Sequence, residues 1–260
     1  MDSHVSVNGV RIAYTLAGRG KPLLFLHGWM CNRQFWNKQV EFFSQNHQIL
    51  TIDFRGQGGS DVPGGGYTVE QLAEDVFTVM KKLAIDRTVV IGHSMGGMVA
   101  QEFGKNYAQK VSGLVLVTTI AADLEDRLIS KRIEKNSAAL GFQKAFLKYF
   151  YGWFAPATER GIVEWVRKEM LKTPEKVGLD LVRAYSRFDL RAYLPNFRMP
   201  CLVIGARADV SAVPVESQML AELIPGSRLI MIEKCGHFPM LEKPEEFDNL
   251  LIEFLSTHNL

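Results

Sequence analysis

The sequence predicts an α/β fold: a mostly parallel, twisted sheet with helices on both faces and a helical insertion over the strand ends. Three observations carry this. Six stretches, 22–26, 49–54, 88–91, 113–117, 201–204 and 229–232, are short, near-continuous apolar runs, the pattern of strands covered on both faces. Helix-like segments at 34–45, 69–83, 98–107, 214–223 and 244–255 separate most of them, and in the second Leu72, Val76, Val79, Met80 and Leu83 recur at helical spacing. The interval 121–194 breaks the alternation, with no strand-like run and many aromatics. The expected organisation is a core of 1–120 and 195–260 with 121–194 inserted as a helical cap.

Length and composition suit one core of that size. The chain has 260 residues, 47% of them hydrophobic and 22% charged, enough to fill a large interior. Its 30 basic and 28 acidic residues leave a net charge of +2, too small for a nucleic-acid binder. Met1-Asp2-Ser3-His4-Val5 has neither the basic nor the apolar region of a leader, and no apolar run reaches the length of a bilayer span. The expectation is therefore a soluble, cytoplasmic protein without membrane attachment. Cys31, Cys201 and Cys235 are odd in number and lack C-x-x-C spacing, so free thiols are expected rather than disulfides or a zinc site.

Taken in order, the chain opens at 5–16 with alternating residues around Asn8-Gly9, a two-residue turn that predicts an antiparallel edge hairpin. The run 22–26 leads into His27-Gly28-Trp29-Met30. After 49–54 comes the glycine-rich segment Arg55-Gly56-Gln57-Gly58-Gly59-Ser60-Asp61. It lacks Gly-Lys-Ser/Thr and does not open directly into a helix, so it reads as a structural turn and not a phosphate loop.

The run 88–91 passes straight into Gly92-His93-Ser94-Met95-Gly96-Gly97, a G-x-S-x-G arrangement between an apolar strand and a small-residue helix. Small neighbours permit a turn tight enough to lift the Ser94 hydroxyl above the sheet. The turn also aims the Met95 N–H at a developing oxyanion. A serine hydroxyl attacks only when a base takes its proton, so a histidine and an orienting carboxylate must follow. Of the six histidines, His93 lies inside the turn and His27 reads as a loop brace, while His4, His47 and His258 read as solvated. His237, in Cys235-Gly236-His237-Phe238-Pro239, follows the last strand run at the strand end where α/β sheets build their sites.

For the acid, Asp209 follows the run 201–204 and has the shorter reach to His237; Asp123, after 113–117, is the rival. Arg207 would lower the pKa of Asp209 if the two side chains met. The second oxyanion donor is expected from the Trp29 N–H, approached through the small Gly28, with the Trp29 ring walling the acyl pocket.

Together Leu26-His27-Gly28-Trp29, Asp53-x-Arg55-Gly56-x-Gly58-x-Ser60, Gly92-His93-Ser94-Met95-Gly96-Gly97, the Asp209 loop and Gly236-His237 resemble the α/β-hydrolase superfamily over essentially the whole chain. Within it the chain is similar to a group of carboxylesterases that includes those cleaving pimeloyl-[acyl-carrier protein] methyl ester in biotin synthesis. The resemblance implies the α/β-hydrolase fold and an oxyanion hole at Trp29 and Met95. It also implies contact of the segment Phe146-Leu147-Lys148-Tyr149-Phe150, through Phe146 and Phe150, with the acyl chain. Two departures stand out. The Asp209 loop is one residue longer than is common, which keeps Asp123 open, and Gln57 stands where many relatives have histidine.

The expected activity is a serine carboxylesterase that needs no metal or organic cofactor. The rivals are other reactions of the same triad (C–C bond hydrolysis, peptide hydrolysis or perhydrolysis) and a ligand-binding protein without turnover. Between residues 127 and 148, Arg127, Lys131, Arg132, Lys135, Lys144 and Lys148 stand against Glu134 alone, a balance of +5. An acyl carrier protein, being acidic, is the partner such a surface would favour.

Overall fold

The computed structural model describes residues 3–124 and 129–260. One eight-stranded sheet contains β1 Ser3–Val7, β2 Val10–Ala17, β3 Lys21–Leu26, β4 His47–Ile52, β5 Thr88–His93, β6 Val111–Val117, β7 Cys201–Ala206 and β8 Arg228–Ile232. Its order is β1-β2-β4-β3-β5-β6-β7-β8. The edge hairpin is antiparallel, turning at Asn8 and Gly9 with φ of +49° and +83° as the primed turn requires. β2 joins β4 antiparallel, and the remaining six strands run parallel. Every residue of β5 and β7 is buried, which explains why these strands carry no polar alternation.

The helices among the described residues are α1 Asn37–Phe43, α2 Val69–Lys82, α3 Met95–Asn106, α4 Ile129–Leu140, α5 Phe142–Phe150, α6 Arg160–Met170, α7 Glu175–Tyr185, α8 Pro214–Leu223, α9 Pro239–Glu242 and α10 Pro244–Thr257. None is long and apolar enough to cross a membrane. Helix α1 meets α10 through Gln39 Nε2–H donating to Asp248 Oδ1 at 3.0 Å, and Trp36, just before α1, sets its ring against that of Phe247. Two of the boundaries that differ from the sequence expectation have a local cause. The segment expected as one helix at 34–45 begins with a 3-10 turn, Arg33–Trp36, because Asn32 accepts the Gln34 N–H and Asp53 accepts the Arg33 N–H. Helix α3 starts at Met95, three residues early, because Ser94 turns strand into helix with no linker.

Helices α4 to α7 lie between β6 and β7. The chain leaves and re-enters the sheet region through an antiparallel bridge, Ala122 with Asp189. Leu190 N–H donates there to the Ala121 carbonyl at 3.0 Å. Of the basic residues expected along this segment, Arg127 and the Lys131 side chain lie outside the described residues. Arg132, Lys135, Lys144 and Lys148 are exposed. The glycine-rich turn after β4 is structural: Asp53 pairs with buried Arg33 and Arg55 pairs with Asp75 through two bonds of 2.6 Å. A Cβ on Gly58 would stand 2.3 Å from the Asp53 carboxyl.

Candidate active site

The site is built at the carboxyl ends of β3, β5, β7 and β8. Ser94, between β5 and α3, has a backbone conformation with φ +52° and ψ −119°, a strained position for a residue with a side chain. Its neighbours show why only glycine fits. A Cβ on Gly92 would lie 2.3 Å from the Gly96 carbonyl oxygen, and one on Gly96 would lie 2.3 Å from the Leu26 carbonyl oxygen. The Ser94 carbonyl is pinned in turn by the Gly97 N–H at 2.8 Å and the Thr119 hydroxyl at 2.6 Å.

Three side chains from distant loops converge there. His237 Nε2 lies 3.0 Å from Ser94 Oγ, and His237 Nδ1 lies 2.8 Å from Asp209 Oδ2. A carboxylate only accepts, so Nδ1 carries the proton and Nε2 presents its lone pair to the Ser94 hydroxyl. Asp209 Oδ1 accepts the Ser211 N–H at 2.7 Å and the Ala212 N–H at 3.2 Å, which fixes the carboxylate plane. Asp123 borders the cavity in front of Ser94, its own N–H donating to the Phe188 carbonyl at 2.9 Å, while Asp209 takes the imidazole. Arg207 pairs instead with Glu233, its Nε–H donating to Oε1 at 3.1 Å.

The other histidines near the site are neutral scaffolding. His27 donates from Nδ1 to the Gly28 carbonyl at 2.8 Å and accepts the Phe54 N–H on Nε2 at 3.1 Å, shaping the loop before Trp29. Burial pushes its pKa down to about 4. His93 lies against the histidine loop: its Nε2–H donates to the His237 carbonyl at 2.8 Å. Burial, and next the neighbouring His237, hold the pKa of His93 well below the ordinary value.

Beside Ser94, the Trp29 and Met95 N–H groups have no protein acceptor among the described residues. Trp29 is fixed by its indole N–H, which donates to the Gly178 carbonyl of α7 at 2.9 Å. The cavity in front of Ser94 measures about 300 Å³, and its apolar wall includes Trp29, Met95, Met98, Ile133, Trp153 and Val210. That volume suits a small substrate, with a few polar groups at the reacting end. Cys31 also borders it, its thiol pKa raised by burial.

Phe146 and Phe150 do not line this cavity, which corrects the expectation that they touch an acyl chain. Both are fully buried, with Phe146 packed against Trp29, Phe150 and Trp153 at centroid distances of 6.2, 5.1 and 5.7 Å. They are four residues apart on α5, on the face it turns into the protein, and stand behind the wall rather than in it. Trp153 and Met98 take that place. Met98 was reachable from the sequence, one helical turn beyond Met95; Trp153 was one of many aromatics in the inserted segment.

The sequence profile of the alpha/beta hydrolase family matches residues 23–250. A 3-oxoadipate enol-lactonase of Acinetobacter baylyi is 24% identical over 260 residues, covering 98% of this chain and 97% of that one. Among solved structures, Est816, described as an N-acyl homoserine lactone degrading enzyme, superposes with a TM-score of 0.89 at 30% identity, covering 97% of this chain and 100% of its own. A thermophilic esterase from Thermogutta terrifontis superposes with a TM-score of 0.91 at 25% identity, and all of both chains is covered. The family match over residues 23–250 and the full-length similarity of sequence and fold lead to one conclusion: this chain belongs to the alpha/beta hydrolase family.

Proposed function

We propose that this protein is a serine hydrolase of carboxylic esters, open-chain or cyclic, acting through Ser94, His237 and Asp209. The observation that carries the reading is the pair of hydrogen bonds linking Asp209 to His237 and His237 to Ser94, beside the Trp29 and Met95 amides that have no protein acceptor among the described residues. As Ser94 Oγ attacks the ester carbonyl carbon, Nε2 of His237 takes the hydroxyl proton, and Asp209 stabilises the imidazolium that results. The carbonyl oxygen becomes negative and is held by the Trp29 and Met95 N–H groups, the second at the positive end of α3. His237 then gives the proton to the departing alkoxide, leaving acyl-Ser94 and an alcohol. Water deprotonated by the same imidazole attacks the acyl group, releasing the acid and restoring the hydroxyl.

Residues 121–194 act in this reading as a cap that supplies Ile133 and Trp153 to the cavity wall and keeps water from the acyl group. The enol-lactonase and homoserine-lactone relatives support cyclic esters as substrates. Exposed Arg132, Lys135, Lys144 and Lys148 on α4 and α5 support delivery of the acyl group on an acidic acyl carrier protein. A panel of p-nitrophenyl esters of graded length, acyl homoserine lactones and an acyl-carrier-linked pimeloyl methyl ester separates these. In every case Ser94→Ala is expected to lower turnover by roughly 10⁴- to 10⁶-fold and to abolish labelling by a fluorophosphonate. Retention of either would sink the assignment.

A further inference from the structure

His237 lies in the irregular loop between β8 and α9, so its imidazole is placed only as well as the loop backbone is held. Glu242, at the end of α9 and half-buried, holds that loop on both sides of the histidine. Its Oε2 accepts the Gly236 N–H at 3.1 Å and its Oε1 accepts the Phe238 N–H at 3.0 Å. The same Oε2 accepts two donors from the segment between Trp153 and α6: the Ala155 N–H at 2.9 Å and the Thr158 hydroxyl at 2.6 Å. These donors are 87 and 84 residues away in sequence, so the carboxylate is more than a local cap for α9.

The histidine's main chain touches the same segment directly, its N–H donating to the Trp153 carbonyl at 2.6 Å. There is no slack at this contact: a Cβ on Gly236 would stand 2.3 Å from that carbonyl oxygen. From the opposite side the His237 carbonyl is held by His93 Nε2–H at 2.8 Å and the Thr118 hydroxyl at 3.0 Å.

We infer that Glu242 is a positioning residue for His237, and that its carboxylate makes the placement of the base depend on docking of residues 153–158. The inference rests on the ester-hydrolase reading for its catalytic consequence, but not for the geometry it predicts. With four donors converging on one carboxylate, docking of the segment and placement of the histidine are a single event. A cap that lifts takes the Ala155 and Thr158 donors and the Trp153 acceptor with it.

The test compares wild type, Glu242→Gln and Thr158→Val. Glutamine keeps the volume but turns an N–H₂ group toward either the Phe238 N–H or the three donors on Oε2, so the loop loses anchors without opening a cavity. The expected result for Glu242→Gln is a loss of roughly 10- to 100-fold in kcat, with KM on a p-nitrophenyl ester moving by less than about twofold. Thr158→Val removes a single donor on a half-buried loop and is expected to give a smaller loss in kcat with the same constancy of KM. The second readout needs no turnover: the Nδ1–H proton resonance of His237, identified by its disappearance in His237→Gln, should broaden or shift in Glu242→Gln.

Unchanged kcat and an unmoved resonance in both variants would overturn the inference. If Glu242→Gln fails to fold, Thr158→Val decides it alone. If wild type hydrolyses no ester while the resonance still moves in Glu242→Gln, the placement stands and the ester reading falls.

Discussion

Replacing Asp209 by asparagine removes one charge and reverses one hydrogen bond, and the surrounding donors decide which bond that is. In the native site Oδ1 accepts two N–H groups, from Ser211 at 2.7 Å and Ala212 at 3.2 Å, while Oδ2 accepts Nδ1–H of His237 at 2.8 Å. Asparagine has a single oxygen. Facing it to the two amides keeps two bonds, each worth about 1 kcal/mol net; facing it to His237 gives up both and sets N–H₂ against two donors. The first arrangement wins by about 2 kcal/mol before repulsion is counted. The amide N–H₂ then meets Nδ1, the imidazole proton moves to Nε2, and the nitrogen that should accept the Ser94 proton already carries one.

Asp209→Asn is therefore expected to lower kcat by roughly 10⁴-fold, a barrier increase of about 5.5 kcal/mol, with little change in KM because the cavity wall is untouched. Steady-state hydrolysis of a p-nitrophenyl ester reads this, and the rate of fluorophosphonate labelling should slow in parallel. Asp123→Asn is the control, since Asp123 borders the cavity while the imidazole bond goes to Asp209. A large loss in Asp123→Asn together with near-native rates in Asp209→Asn would refute the reasoning.

Two further expectations test the scaffold. Phe146→Ala should cost about 3–5 kcal/mol in urea unfolding, as for a fully buried aromatic. The rank order of ester chain lengths should stay unchanged; a changed rank with intact stability would return Phe146 to the substrate. His27 is held at about 4 by burial against an ordinary value of 6.5, so below 6.5 the unfolded chain binds a proton that the folded one refuses. Its contribution is whole above pH 6.5 and declines as pH falls toward 4, by roughly 3 kcal/mol in all, with His93 acting in the same direction. Urea titrations at pH 7 and pH 5 should show the decline, and His27→Gln should make it shallower; a flat wild-type profile would contradict the burial argument.

Much of the architecture was legible in the residues. The runs 89–91 in β5 and 201–204 in β7 are apolar without a break because both faces of these strands are covered, and that pattern marks them without any partner in view. The elbow was legible for a related reason. Gly92 and Gly96 answer to backbone atoms within one strand-turn-helix unit and the adjoining β3, so short-range sterics wrote them into the motif. The same holds for the Asn8-Gly9 turn, whose positive φ values are a local demand.

What tertiary structure alone decided is which side chain meets which. Asp209 and Asp123 each follow a strand, and Asp123 even borders the cavity, so only the 2.8 Å bond to Nδ1 separates them. Phe146 and Trp153 are aromatics of one segment with equal claim to the substrate, and one is behind the wall while the other is in it. Glu242 carries no periodic or motif signal for its four donors, two of which come from a segment more than 80 residues away. The division has one physical origin. Periodicity and turn sterics act over a few residues and are printed in the sequence. The Ser94–His237 bond joins residues 143 apart, and its existence depends on the packing of everything between them.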